Sequence, residues 1–293
     1  MSTLRRVQPV ILVHGGAGAR APELAARAAA IERALGEALR RGGAALDRGG
    51  DALDAAQAAV MCMEDEADFL NAGRGSVLCS DGGVEMSASL MRGRDRAAGA
   101  MALLRTSRSP IAGARAVLER SPHVLLAGPA ADALADAAGI EQRPPAYFIT
   151  ERQQRRLVQD GRGTVGAVAL DGAGGLAAAT STGGARGQAA GRIGDSPLIG
   201  AGTWADGRVA VSCTGDGEAF IRAAAAHQLA GRVVAGEALA AAAAATLDDV
   251  ASLGARGGLI ALGADGAVAM PFSAEAMARG VWRAGAEVEV HAA

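Results

Sequence analysis

The chain has 293 residues, half of them hydrophobic, and a net charge of −2 at pH 7. This is enough apolar material for a well-filled core. The near-neutral charge and the scattered basic residues argue against a nucleic-acid-binding stripe or a membrane-surface patch, so we expect a small-molecule partner, with no nucleic acid and no membrane.

The sequence lacks the residues that several common enzyme chemistries require. The sequence contains no lysine, which excludes Walker A phosphate binding and a lysine Schiff base. Its four histidines are far apart, and Cys62, Cys79 and Cys213 are isolated, which predicts reduced thiols and no zinc site. No apolar run is long enough for a signal-peptide core or a membrane span, so we expect a cytoplasmic protein. We also expect no organic cofactor.

The first predicted element is a strand from Val10 to His14, which ends in the sequence HGGAG. Ala, Leu and Ile at helical spacing then predict helices over about 22–46 and 51–66. An Asp-Gly-Gly sequence at 81–83 predicts a hairpin between two strands. Two further helices are predicted in this half, at 109–120 and 129–138, with a strand at 123–128 between them.

The pattern changes at Thr164, after a charged segment at 150–163. Strands are then predicted at 164–170, 175–182 and 208–213, helices at about 217–230 and 236–252, and a last pair of strands around Asp265-Gly266. The sequence Gly172-x-Gly174-x-x-Ala177 is similar to a dinucleotide-binding fingerprint, but it lies between two strands, which favours a hairpin turn.

Neighbouring strands joined by tight turns, with helices in blocks on either side, predict an α+β fold of antiparallel sheets covered by helices.

Thr164 permits two interpretations. Threonine is common in strands, and Gly202-Thr203 is a second Gly-Thr pair in this chain with no evident role. Alternatively, the chain is cut before Thr164, which would place a free amine beside the threonine hydroxyl. Hydroxyl and glycine groups also follow two later strands, where their donors could converge on one oxyanion. Arg192 and Asp195 could form a surface ion pair or could bind the head group of an amino acid.

Six motifs, HGGAG, NAGRGSVL, GTVGAVAL, AAATSTGG, GRIGDSPLIGAG and VSCTGDGEAFIRA, resemble those of the plant-type asparaginases, also called isoaspartyl peptidases. They occur in the same order over residues 10–272. The resemblance implies an N-terminal-nucleophile hydrolase with a four-layer αββα sandwich. It also implies self-cleavage between Gly163 and Thr164, giving an α portion of residues 1–163 and a β portion of residues 164–293 within one structural domain.

The implied reaction is hydrolysis of β-aspartyl peptides or of asparagine through a β-aspartyl ester on Thr164. The new α-amine, with an ordinary pKa of about 7.7–8, would act as the general base. The resemblance assigns roles to the following residues: Thr182 tunes the nucleophile, Thr214 and Gly215 form the oxyanion hole, Arg192 binds the substrate carboxylate, and Asp195 and the Gly217 carbonyl bind its ammonium group.

The resemblance further implies a dimer of αβ units and a structural sodium ion. Asn71 matches the asparagine of the family's NAG motif, and the loop before it resembles one that holds sodium through backbone carbonyls. The candidate carbonyls are those of Glu64, Asp65, Ala67, Leu70, Ala72 and Arg74.

The chain departs from the family pattern at three sequence positions, and its linker before Thr164 is short. ARGQAA replaces the usual Asn-Lys pair, Asp216 stands in TGDGE where many relatives have threonine, and Ser87 stands where aspartate is common. An inward-facing Asp216 would repel an oxyanion, whereas an outward-facing one would have no effect.

The alternatives to an isoaspartyl peptidase/asparaginase function are a glycosylasparaginase-like enzyme, an aspartate-directed threonine endopeptidase, or an uncleaved, non-catalytic amino-acid-binding homologue.

Overall fold

Two β-sheets form the centre of the protein. The computed structural model describes residues 7–19, 24–68, 70–155 and 163–292. The large sheet has eight strands: β1 (Val10–Gly18), β2 (Met86–Arg92), β3 (Ala98–Leu104), β4 (Leu125–Ala127), β5 (Val165–Leu170), β6 (Leu176–Thr182), β11 (Ala276–Arg283) and β12 (Glu289–His291). The small sheet has four: β7 (Thr203–Ala205), β8 (Val209–Gly215), β9 (Gly257–Gly263) and β10 (Val268–Ala269).

The spatial order is β12-β11-β1-β5-β6-β2-β3-β4 in the large sheet and β10-β9-β8-β7 in the small one. All neighbours are antiparallel except β3 and β4, which run parallel at the sheet edge. The hairpin predicted at Gly172 joins β5 to β6, where Asp171 Oδ1 accepts hydrogen bonds from the Ala173 and Gly175 N–H groups. The fingerprint is therefore a turn.

Helices flank both sheets. α1 (Leu24–Asp47), α2 (Ala52–Glu64) and α3 (Pro110–Arg120) cover one face of the large sheet. α7 (Ala225–Val234) and α8 (Leu239–Ser252) cover the small sheet. The shorter helices in the described residues are α4 (Pro129–Ala137), α5 (Glu151–Arg155) and α6 (Gly217–Ala223). Helices flanking antiparallel sheets confirm the predicted α+β class.

Successive side chains along a strand point to opposite faces of the sheet, so one strand contributes to two separate cores. In β1, Ile11 and Val13 face α1 and α2, whereas Val10 and Leu12 face the small sheet. In β9, Ile260 faces the large sheet and Leu259 faces the helices on the other side. This period of two is the geometry of extended chain buried on both faces.

Several predicted elements need correction. Residues 76–79 form no strand, although the turn at 80–82 is present. The Leu78 carbonyl accepts instead from Gly187 N–H of another loop, and the next residue after this segment, Ser80, donates its N–H to the Gln188 carbonyl of the same loop. The helix predicted at 217–230 breaks at Ala224, whose φ is +47°. Strands β3, β7, β11 and β12 were not predicted.

Two predictions fall partly outside the described residues. They are the start of the first helix at 22 and residues 156–162 of the charged segment. Cys62, Cys79 and Cys213 are free cysteines. In the described part of the chain, no helix is long and apolar enough to cross a membrane.

Candidate active site

The predicted site residues surround one cavity, between the start of β5, the end of β6 and the loops that follow β6 and β8. Seven of them line it: Gly163, Thr164, Thr182, Arg192, Asp195, Gly215 and Gly217. Residues separated by more than fifty positions in the sequence therefore meet at one place. Asn71 and Thr214 lie beside this lining.

The Gly163–Thr164 peptide is held at the start of β5. The Gly163 carbonyl oxygen accepts hydrogen bonds from Asn71 Nδ2 at 2.6 Å and from Thr182 Oγ1 at 3.3 Å. Thr164 Oγ1 donates to Thr182 Oγ1 at 3.1 Å. Gly16 of the HGGAG sequence packs closely against this peptide, since a Cβ atom there would lie 2.9 Å from Gly163 Cα.

Asn71 is held in one orientation. Its Nδ2 also donates to the Gly184 carbonyl at 2.7 Å, and its Oδ1 accepts from Val77 N–H at 2.9 Å. Two carbonyl neighbours fix the side on which the NH₂ group lies. Asn71 therefore presents a donor to the carbonyl of the bond predicted to be cut.

The other side of the cavity follows β8. Thr214 is 1% exposed, and its Oγ1 accepts from Ala17 N–H at 3.2 Å, which leaves the hydroxyl proton for another acceptor. Gly215 has φ +144°, and a Cβ there would lie 2.5 Å from Gly257 Cα. Only glycine fits where β8 ends and the chain turns into α6.

Asp216 lines the cavity between Gly215 and Gly217. One oxygen of its carboxylate, Oδ2, accepts from Arg256 N–H at 2.9 Å, on the side of the neighbouring strand. Ser87, the other departure, is buried and paired in register with Thr182.

Arg192 has a different ion partner from the one considered in the sequence. Its Nε and Nη2 donate to the two carboxylate oxygens of Glu218 at 2.9 and 3.0 Å, and its Nη1 donates to Gln188 Oε1 at 3.2 Å. In the described part of the chain, it forms no ion pair with Asp195. Three of the five guanidinium protons are thus engaged, and one remains on each terminal nitrogen, enough for a bidentate carboxylate contact.

Asp195 is 5% exposed, and its Oδ2 has no hydrogen-bond partner among the described residues. Burial raises the pKa of this carboxyl to about 6, against the opposing effect of nearby Arg192. A Cβ atom on Gly217 would lie 2.8 Å from both Asp195 Oδ1 and Arg192 Nη2. The absence of a side chain at Gly217 therefore leaves space that both charged groups border.

Two further buried groups lie behind the site. Burial lowers the pKa of His14 to about 3, so its imidazole is neutral at pH 7. Burial raises the pKa of Glu64 to about 7. Glu64 accepts hydrogen bonds from Ser181 Oγ at 2.6 Å, Ser109 Oγ at 2.7 Å and Ile111 N–H at 2.9 Å, and so links β6 to the start of α3.

Gln188 and Glu218 were not predicted. Gln188 lies in ARGQAA and Glu218 lies in TGDGE. Gln188 is 4 residues from Arg192 in the sequence, and Glu218 is 26 residues from it. No local sequence pattern links either residue to Arg192.

Comparison with known proteins decides the family. The sequence profile of the family described as asparaginase matches residues 7–161 and 153–292. The chain belongs to this family. It is 41% identical to an isoaspartyl peptidase of Escherichia coli (strain K12), with 92% of this chain and 91% of that protein covered.

Vertebrate relatives match as well. The chain is 38% identical to an isoaspartyl peptidase/L-asparaginase of Xenopus laevis, with 97% and 94% of the two chains covered. It is 39% identical to the Homo sapiens protein of the same name, with 74% of each covered. The family resemblance predicted from the six motifs is confirmed.

Proposed function

We propose that this protein is a hydrolase of β-aspartyl peptides and L-asparagine, and that it cleaves itself before Thr164. The contact between Thr164, Thr182 and the Gly163 carbonyl carries the proposal, because it puts a hydroxyl and two hydrogen-bond donors around a single peptide bond. The names of the relatives supply the substrate class.

In self-cleavage, Thr164 Oγ attacks the Gly163 carbonyl carbon, the hydroxyl proton passes to the Thr164 nitrogen, and the peptide C–N bond breaks to give an ester and a free α-amine. Asn71 Nδ2 and the Thr182 hydroxyl donate to the oxygen that becomes negative. Water then hydrolyses the ester, which releases the Gly163 carboxylate and restores the Thr164 hydroxyl. The products are the α portion 1–163 and the β portion 164–293.

In turnover, the α-amine accepts the Thr164 hydroxyl proton while Oγ attacks the side-chain carbonyl of the substrate. The amine leaving group takes a proton, and a β-aspartyl ester remains until water releases aspartate. Thr214 and the Gly215 N–H are the proposed oxyanion donors. Arg192 binds the α-carboxylate, and Asp195 with the Gly217 carbonyl binds the α-ammonium.

Three finer features belong to the same proposal. The helices and sheets form a four-layer αββα sandwich, and two αβ units form a dimer. A sodium ion is held by backbone carbonyls in the loop before Asn71. The carbonyl oxygens of Leu70 and Glu66 both point toward Gly75, since a Cβ atom there would lie 2.1 Å from the Leu70 oxygen and 2.7 Å from the Glu66 oxygen. Glu66 was not in the predicted set, whereas Leu70 was. Bound there, the ion would stiffen the loop that carries Asn71.

The decisive test is the covalent state of the active protein. We expect two fragments on a denaturing gel, with Thr164 as the N-terminus of the smaller one. Thr164→Ala is expected to stay whole and inactive, and Thr164→Ser to retain some cleavage. An active preparation made of one unbroken chain would contradict the proposal.

Substrate class is tested by assaying β-aspartyl-leucine, L-asparagine and a glycosylated asparagine together. Preference for the third would favour the glycosylasparaginase alternative, and cleavage of folded proteins would favour the endopeptidase. An intact chain that binds aspartate without turnover would be the non-catalytic homologue.

A further inference from the structure

A row of buried polar side chains crosses the space between the two sheets: His14, Ser89, Thr180, Thr203 and Ser212, each 0% exposed. We call these five residues the buried polar row. Away from it, the same space is filled by apolar side chains such as Val168, Ile260 and Leu262.

The row is continuous. Ser89 Oγ lies 2.8 Å from Thr203 Oγ1, which lies 2.6 Å from Thr180 Oγ1. Thr180 Oγ1 lies 2.7 Å from Ser212 Oγ, and Ser212 Oγ lies 2.9 Å from His14 Nε2. All four contacts join the large sheet to the small one, so the row ties the sheets together.

Strand register places the row directly beneath the proposed catalytic threonines. Ser89 and Thr180 are paired on β2 and β6, and Thr203 and Ser212 are paired on β7 and β8. Side chains two residues apart on a strand share a face. Thr182 therefore stands one step beyond Thr180 on the large sheet, and Thr214 stands one step beyond Ser212 on the small sheet.

Gly166 completes the layer without a side chain. It is paired with His14 on one side and Thr180 on the other. A Cβ atom there would lie 2.0 Å from Ser212 Oγ and 2.4 Å from His14 Nε2. The glycine gives Ser212 room to reach the large sheet.

Each hydrogen bond of the buried polar row depends on the neighbouring members of the row. Ser89 Oγ also donates to the Ser196 carbonyl at 2.6 Å, beside Asp195. Each hydroxyl carries one proton, so the loss of any member leaves its neighbours with an unmet contact in a dry interior. Apolar packing is non-directional, whereas these hydrogen bonds fix oxygen separations to a few tenths of an ångström.

We propose that Thr180 and Ser212 are positioning residues that hold the Thr182 side of the active site in register with the Thr214 side. The inference rests on the proposed function, since it concerns alignment of a nucleophile on one sheet with oxyanion donors on the other. Misplacement by about 1 Å costs about 100-fold in rate in enzymes. The row also gives Thr203, the second Gly-Thr threonine of the sequence, a role.

Thr180→Val keeps the side-chain shape and removes the hydroxyl. In the processed enzyme we expect kcat on β-aspartyl-leucine to fall about 10- to 100-fold with KM changed less than about threefold, since the head-group contacts are untouched. Thr180→Ser restores the hydroxyl and should recover kcat. The control is Thr246→Val, which removes an equally buried hydroxyl bonded to the Ala242 carbonyl within α8 at 2.8 Å.

Melting temperature and the cleaved fraction are measured for all four proteins, and rates are referred to cleaved enzyme only. The inference is overturned if Thr180→Val keeps the wild-type kcat, or if Thr246→Val loses as much kcat as Thr180→Val. Should Thr180→Val not fold, Ser212→Ala is judged by the same criteria. A cleaved wild type that hydrolyses no β-aspartyl substrate or asparagine would instead refute the proposed function, and the inference with it.

Discussion

The two walls of the cavity are built differently. The nucleophile wall, formed by Thr164, Thr182 and Asn71, is uncharged, and its polar atoms bond to one another and to the Gly163 carbonyl. The head-group wall, formed by Arg192, Asp195 and Gly217, is charged, and its Asp195 Oδ2 has no hydrogen-bond partner among the described residues. In the proposed function, the first wall surrounds the bond to be cut and the second binds the substrate head group. Self-cleavage and substrate binding should therefore be separable by mutation.

The largest effect is expected from Asn71→Ala on the nucleophile wall. It removes a donor to the Gly163 carbonyl, and loss of one oxyanion donor slows a reaction by about 10²- to 10³-fold. Fragment appearance on denaturing gels over time measures the cleavage rate. Gln153→Ala is the matched control, because this buried amide donates to the Gly75 carbonyl of the same loop and not to Gly163. Equal slowing by both variants would show that Asn71 acts only through loop stability.

On the head-group wall, Asp195→Asn should leave cleavage intact and lower kcat/KM about 100-fold. Loss of a buried charge opposite a bound ammonium costs about 2–5 kcal/mol. Steady-state kinetics on L-asparagine and a cleavage gel measure the two effects. Asp171→Asn, at the remote β5–β6 turn, is the control for a buried carboxylate. A cleavage defect as large as the kinetic one would argue against independent walls.

The pH dependence follows from the same carboxyl. Because burial raises the Asp195 pKa to about 6, the free enzyme loses this charge as pH falls through 6, and kcat/KM should fall by up to about tenfold per pH unit from this group alone. A bound ammonium favours the ionised form, so the corresponding fall in kcat should lie at lower pH. Asp195→Asn should lack this step. Identical profiles for wild type and variant would assign the step to another group.

The contrast between the walls also explains what the sequence could predict. Thr164, Thr182 and Thr214 each end or begin an apolar strand beside glycine, a local pattern that is visible in the sequence. The pairing of Arg192 with Glu218 depends on a loop and a helix meeting in space, and no local pattern encodes it.

The same limit applies to the fold. β5 and β6 were predicted because apolar runs flank a tight turn. β11 was not, because its sequence AMARGVWR carries two arginines, yet it pairs with the central strand β1 along most of its length. The strand wrongly predicted at 76–79 has the right composition, but its Leu78 carbonyl bonds to Gly187 N–H of a loop instead of to a neighbouring strand. Tertiary partners override local propensity in both cases.

A smaller effect is expected from Glu218→Gln, which replaces a bidentate contact to Arg192 with at most one good acceptor. The Glu218 side chain is 70% exposed, and exposed ion pairs contribute about 0–1 kcal/mol, so KM should rise by at most about fivefold with kcat unchanged. Glu119→Gln removes a comparable partner from Arg115 on α3 and should leave KM unchanged. A large fall in kcat would place Glu218 nearer the chemistry than its contacts indicate.

The smallest effect is expected from Asp216→Asn, which tests the boundary between the walls. Asparagine keeps an oxygen that can accept from Arg256 N–H and removes the negative charge beside the proposed oxyanion donor Gly215. Because the Asp216 carboxylate is bonded toward Arg256, kcat should change by less than about threefold, the range of ordinary surface substitutions. A tenfold rise in kcat would mean that this carboxylate opposes the developing oxyanion, and that the departure from the usual family threonine slows this enzyme.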